Sequence, residues 1–155
     1  MSEQVIKKVL ITGANGFIGG TLMRYYQNNN QDVVGVDLVG NGSDVIEGDI
    51  AQPDTISHLL QECDVIIHTA ALVSNAMQDS DMWRVNVLAT RNLIEAAKAY
   101  KVRRFVQISS IVAYGNSAEG ELDESHPVHA DGGSYVLTKL ASEHVVLGAQ
   151  ANNCL

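Results

Sequence analysis

Several residue types are scarce in this sequence, and each scarcity removes a class of protein. There are only 2 cysteines, Cys63 and Cys154, which form no disulfide framework and no metal-ligand spacing. Cys63 sits in the apolar run LLQECDVIIH and reads as an inert core thiol. Basic residues number 10 against 18 acidic ones, for a formal net charge of −8. A surface of that sign repels nucleic-acid phosphates and an acidic membrane face alike. No uninterrupted apolar run approaches the roughly 18 residues of a membrane helix. The opening, MSEQVIKKVLITG, lacks the apolar stretch of a signal peptide. These absences point to the cytoplasm, with no nucleic acid, no membrane and no metal.

Apolar residues are plentiful at 46%, with only 18% charged, as in a core-rich globule. At 155 residues the chain is one domain's worth. It has no repeats, no low-complexity tract and no linker. Short β-rich runs alternate with helical patterns throughout. Strands are expected at KVLIT (8–12), DVVGVD (32–37), DVIEGD (44–49), DVIIHTAA (64–71) and RRFVQISS (103–110). Helices are expected from Phe17 into the asparagine cluster, over 53–63 with Pro53 in its first turn, over 79–100, and from about Ser134. The fourth strand is almost continuously apolar, the mark of a parallel strand buried on both faces. Alternating β and α elements predict a doubly wound α/β fold, a Rossmann-type parallel sheet with helices on both faces.

The first β-to-α connection carries TGANGFIG, with Gly13, Gly16 and Gly19 spaced G-x-x-G-x-x-G. Gly13 permits a tight turn, Gly16 lets backbone approach a pyrophosphate, and Gly19 allows close packing of helix on strand. Phosphates would then lie at a helix N-terminus, where free N–H groups favour negative charge. Asp37 ends the second strand, where an acid accepts hydrogen bonds from ribose hydroxyls and repels a 2′-phosphate. No arginine follows it, so NAD is favoured over NADP. Asp49, at the end of the third strand, has two readings: a partner for the adenine amino group, or a turn-capping aspartate.

Tyr135 and Lys139 lie one helical turn apart and share a face. A free tyrosine hydroxyl titrates near pH 10, and a neighbouring ammonium stabilises its phenolate. Such a pair suits the proton movement that accompanies hydride transfer at a carbinol carbon. Ser109 and Ser110 follow the fifth strand, on the side where ligands bind in doubly wound sheets, although serines there also serve as loop caps. His68 reads as strand packing, His126 and His129 as loop residues, His144 as a solvated helix residue, and Trp83 as core or interface.

In order along the chain, TGANGFIG, GDI, HTAA, VNVLATRNLIEAA, RFVQISSIVAYG and YVLTK resemble the extended short-chain dehydrogenase/reductase family. The NAD-dependent epimerase/dehydratase group is the nearest flavour, with 3β-hydroxysteroid dehydrogenase-like members close by. The resemblance implies strand order 3-2-1-4-5, with residues 1–155 forming an incomplete dinucleotide-binding domain. It implies cofactor contacts at Gly13, Asn15, Gly16, Phe17, Ile18, Gly19, Asp37, Asp49, Ile50, Ala70, Ala71, Asn86 and Lys139. Asn86, on the long helix, is otherwise a structural residue or part of a proton relay. Tyr135 is then the acid/base, Lys139 its tuning partner and Ser110, four residues before Tyr114, the hydroxyl donor. The implied activity is oxidoreductase, epimerase or dehydratase chemistry on a small molecule: a nucleotide sugar, a steroid-like compound, or a small carbonyl or alcohol. A homodimer through the long helix and the Tyr-Lys helix is also implied. The family layout runs past the Tyr-Lys helix, whereas this chain stops 16 residues after Lys139. It therefore reads as an N-terminal piece, and a non-catalytic NAD-binding module is the second reading.

Overall fold

The computed structural model describes residues 6, 8–73, 79–115, 120–123, 125–129 and 132–151. Cys154 lies outside them. Five strands, β1 Lys8–Thr12, β2 Asp32–Asp37, β3 Val45–Glu47, β4 Val65–His68 and β5 Arg104–Gln107, pair in parallel in the order β3-β2-β1-β4-β5. That is the expected order. The helices are α1 Phe17–Asn28, α2 Ser57–Leu60, α3 Asp79–Met82, α4 Thr90–Ala99 and α5 Ser134–Ala151.

Successive strand residues face opposite sides of the sheet, so β1 feeds two cores. Val9 and Ile11 join Met23 of α1 and Val65 and Ile67 of β4. Leu10 joins Val36, Ile66, Leu60 of α2, and Leu93 and Ala97 of α4. Both faces are covered, which is why β1 and β4 are apolar at nearly every position. Leu10, Ile66 and Leu93 are fully buried, each contributing about 1.5–3 kcal/mol of transfer free energy.

Several elements are shorter than their sequence patterns, each for a local reason. β3 stops before Asp49 because that carboxylate accepts the Ala51 N–H at 2.9 Å and turns the chain, the competition that short polar side chains offer to a ladder. The 53–63 pattern opens as a 3₁₀ turn, Pro53–Ile56, before α2; there the Thr55 hydroxyl donates to the Gln52 carbonyl at 2.8 Å. β4 ends at His68, since the Ala70 N–H leaves the ladder for Thr12 Oγ1 at 3.3 Å. The long 79–100 pattern is helical, but its middle, Trp83–Ala89, winds as a wider π segment between α3 and α4. β5 is one edge of the described sheet, opposite β3, and its Val106 is 37% exposed. A 3₁₀ turn, Ile111–Tyr114, follows it.

Because the strands are parallel and in register from Thr12 through His68 to Gln107, their carboxyl ends line up on one side of the sheet. The glycine turn, the loop after β4 and the start of the segment after β5 all leave from that side.

Candidate functional site

Gly13 adopts φ +69, and a Cβ there would sit 2.8 Å from the backbone of Ala70. Only glycine fits that turn without strain. At Gly19, a Cβ would lie 2.2 Å from the Gly13 carbonyl oxygen, so α1 can pack onto its own entry loop only with glycine there. Gly16 differs. It caps α1 with φ −73 and ψ 172, which any residue tolerates, and an added Cβ meets a single atom, the Gly13 carbonyl oxygen, at 3.1 Å. The protein's own packing asks less of Gly16 than of Gly13 or Gly19.

A cavity of about 410 Å³ opens beside this turn. Gly13, Gly16, Asp37, Asp49, Ile50, Ala70 and Ala71 line it together with Val36, Leu38, Gly48, Thr69, Leu72, Arg84 and Val85. Asn15, Phe17, Ile18, Gly19, Asn86 and Lys139 do not line it; Phe17 is 92% exposed. The Asp37 carboxylate is held by two backbone donors, the Asn15 N–H at 2.9 Å and the Leu38 N–H at 2.8 Å. An ionised carboxylate has about four acceptor sites, so Asp37 keeps capacity for a ligand's hydroxyls. Asp49 caps its turn, the second of its two readings, and also faces the cavity. Arg84 had no signal in the sequence, being one charged residue on a helix; its only ion pair among the described residues, to Asp81, is loose at 4.0 Å.

Behind the cavity wall runs a chain of buried polar groups. The Thr12 hydroxyl meets His68 Nδ1 at 2.6 Å, and His68 Nε2 meets Thr90 Oγ1 at 3.0 Å. Thr90 donates to the Asn86 carbonyl at 2.8 Å, so its oxygen is left to accept from His68. His68 is therefore the Nε2–H tautomer, with Nδ1 accepting from Thr12. Burial, followed by the charge of Lys139, lowers the His68 pKa from its ordinary 6.5 to about 3, and the ring stays neutral. His68 thus serves packing, as its place in the strand suggested.

Asn86 is 2% exposed and its amide is spent inside the protein. Its Oδ1 accepts the Leu72 N–H at 2.7 Å, and its Nδ2 donates to the Leu72 carbonyl at 3.0 Å and to Thr138 Oγ1 at 3.1 Å. Leu72 lines the cavity, and Thr138 precedes Lys139 on α5. The contacts put Asn86 in its structural role, away from the cavity, and the π segment is the turn that aims it, as such bulges often do at functional sites.

At the carboxyl end of β5, Lys139 is 4% exposed and its ammonium donates to the Ile108 carbonyl at 2.6 Å. Burial lowers its pKa, and Glu143 opposes that. Tyr135 lies one turn earlier on the same helix, half-buried, its carbonyl accepting from the Thr138 hydroxyl at 3.0 Å. Ser110 begins the 3₁₀ turn, its hydroxyl unused in capping it. α5 packs against both that turn and the π segment, so the helix carrying Tyr135 and Lys139 lies against the turn that Ser110 opens. Ser109 instead donates to the Glu143 carboxylate, a contact without a sequence signal because it spans 34 positions. Elsewhere, His126 meets the ring of Tyr114, His144 is exposed and Trp83 is 40% exposed. Cys63 is buried, and burial raises its thiol to about 11, the inert state expected of a core thiol. Among the described residues no three His, Cys, Asp or Glu side chains cluster as metal ligands, and no helix is long and apolar enough to cross a membrane.

A doubly wound parallel sheet, a glycine turn opening the first helix and an acid closing the second strand define a Rossmann-type α/β domain. Residues 9–154 match the NAD dependent epimerase/dehydratase family, and the chain belongs to it. The Low-salt glycan biosynthesis protein Agl12 of Haloferax volcanii is 31% identical over 89% of this chain and 50% of its own length. A short-chain dehydrogenase/reductase superfamily protein from Agrobacterium tumefaciens, solved with bound NAD, superposes with TM-score 0.83 at 31% identity over 92% of this chain and 45% of its own. The UDP-glucuronic acid 4-epimerase of Bacillus cereus, solved with NAD, superposes with TM-score 0.82 at 32% identity over 94% and 53%. The chain thus spans about half the length of the relatives it matches.

Proposed function

We propose that the chain is the NAD-binding half-site of an oxidoreductase, epimerase or dehydratase acting at a secondary alcohol or sugar carbon. The observation that carries this reading is the 410 Å³ cavity whose wall joins Gly13, Gly16 and Ala70 to the Asp37 carboxylate. The residues present fit a dinucleotide. At Gly16 a Cβ would project where a diphosphate approaches the N-terminus of α1, although the protein's own packing nearly allows one. Asp37, pre-aimed by two backbone donors, accepts ribose hydroxyls and repels a 2′-phosphate, favouring NAD over NADP. Asp49 and Ile50 border the adenine, and Ala70 and Ala71 offer backbone to the cofactor. Residues 1–155 form one dinucleotide-binding domain in this reading.

The chemistry that the bound cofactor would supply is hydride transfer with the substrate's carbinol carbon, the oxidised form as acceptor and the reduced form as donor. The Tyr135 hydroxyl moves the proton on the substrate oxygen, and the Ser110 hydroxyl donates a hydrogen bond to that same oxygen. Lys139 contributes positive charge beside Tyr135 and binds the nicotinamide ribose. A nucleotide sugar is the favoured substrate class, because a relative of matching fold is a UDP-glucuronic acid 4-epimerase; a steroid-like or small carbonyl substrate is the alternative. A homodimer through α4 and α5 and a cytoplasmic location complete the reading; the groove between those helices is lined by Arg91, Glu95, Lys98 and His144 as well as by Ile94, Val145, Gly148 and Ala149. With a substrate in hand, Tyr135→Phe lowers kcat at least 100-fold and leaves NAD affinity within about twofold; equal kcat would remove Tyr135 from the chemistry.

A second reading is an NAD-binding module without turnover, since the cavity and the Asp37 carboxylate account for dinucleotide binding by themselves. Dinucleotide binding with no turnover on any UDP-sugar would select it.

A further inference from the structure

We propose that Glu143 is a positioning residue for Lys139: together with Ser109 it bolts the end of β5 to α5 and holds a carboxylate beside the lysine's ammonium. The proposal rests on the reading of Lys139 as part of the catalytic pair. Three neighbouring residues at the carboxyl end of β5 have separate tasks. The Ile108 carbonyl accepts from the Lys139 ammonium at 2.6 Å, the Ser109 hydroxyl donates to the Glu143 carboxylate, and Ser110 opens the 3₁₀ turn. Lys139 and Glu143 are one helical turn apart and share a face. The two bonds therefore clamp the same short stretch of backbone from successive turns of α5, fixing Ser110 relative to Tyr135.

The charge balance points the same way. Lys139 is 4% exposed, and a buried ammonium is costly unless a counter-charge accompanies it. The Ile108 carbonyl satisfies one of its three donors but carries no net charge. Among the described residues, the charge that acts on it is Glu143, one turn on along its own helix; Tyr135 lies one turn back, and His68 on β4 is neutral. Glu143 is the carboxylate in that set, half-buried where water screens it less than at the surface. The Ser109 hydroxyl keeps it there.

The test follows the Lys139 Cε resonance by ¹³C NMR through a pH titration, assigned by its loss in Lys139→Met. Glu143→Gln keeps an acceptor for Ser109 and deletes the charge, and the Lys139 midpoint then falls by about one pH unit. Ser109→Ala frees the carboxylate without removing it, and the midpoint falls by less. A folded Glu143→Gln protein whose midpoint stays within about 0.2 of wild type overturns the proposal. Should that variant fail to fold, Ser109→Ala decides alone, and an unchanged midpoint there overturns it. NAD titration of the same samples reads the functional assignment separately: unchanged midpoints with intact NAD binding sink the brace alone, whereas absent NAD binding sinks the assignment on which it rests.

Discussion

His68 makes the fold acid-sensitive by an amount that follows from its surroundings. The ring is wholly buried, bonded on both nitrogens to threonines, and its pKa falls from 6.5 to about 3. Below pH 6.5 the unfolded chain takes up a proton that the folded chain refuses, so the unfolded state binds more protons and stability drops as pH falls. This contribution is fully present above about pH 6.5 and is lost progressively toward pH 3. Between pH 7 and pH 5 the single site removes about 2 kcal/mol, at about 1.36 kcal/mol per pH unit once past its unfolded midpoint. Urea unfolding at both pH values, on wild type and on His68→Gln, isolates the site because every other titrating group is common to both proteins. The variant starts less stable at pH 7, since glutamine cannot reach both threonines as the ring does. Its loss on going to pH 5 is nevertheless smaller than that of wild type by about 2 kcal/mol. Equal losses in the two proteins would show that His68 takes up its proton in the folded state and that the Thr12–His68–Thr90 chain is misread.

The glycines separate structural from ligand-side demands. Gly19→Ala destabilises by on the order of 3 kcal/mol, because its Cβ lands 2.2 Å from backbone. Gly16→Ala, with its one contact at 3.1 Å, costs under about 1 kcal/mol in thermal melts yet weakens NAD at least tenfold by calorimetry. Equal stability losses at the two positions would contradict this division. Asn86→Leu strands the Leu72 amide and carbonyl and takes from Thr138 Oγ1 the amide it accepts from, while that hydroxyl keeps its bond to the Tyr135 carbonyl, so urea midpoints report a loss of about 2–4 kcal/mol; a loss below about 0.5 kcal/mol would mean the Asn86 bonds to Leu72 carry nothing.

Much of this architecture is legible in the amino-acid sequence, and the reasons are local. Runs such as KVLIT and VIIH announce buried parallel strands because both of their faces must be apolar, and TGANGFIG announces its turn because only glycine accepts the φ of Gly13. Asp37 was legible because its distance from that turn is set by one helix and one strand. The misses share a different cause. β4 and β3 ended early where Thr12 and Asp49 side chains captured backbone N–H groups, contacts that periodicity does not encode. The π segment was invisible because its apolar spacing over seven residues is nearly that of an α-helix. Thr90, Thr138 and Glu143 gave no signal, and Ser109 gave none of its bond to Glu143, because each is an ordinary helix or loop residue until a partner tens of positions away completes it. Arg84 reaches the cavity wall with Leu72 because the π segment that carries it is tied to Leu72 through Asn86.

The measurement that bears most directly on the central claim is calorimetric titration of NAD and NADP into the purified chain and into Asp37→Ala. NAD is expected to bind, NADP to bind more weakly, and Asp37→Ala to weaken NAD by about 10–100-fold, the worth of one or two charge-assisted hydrogen bonds. A folded chain that binds neither dinucleotide, or an Asp37→Ala protein that binds NAD as well as wild type, would contradict it.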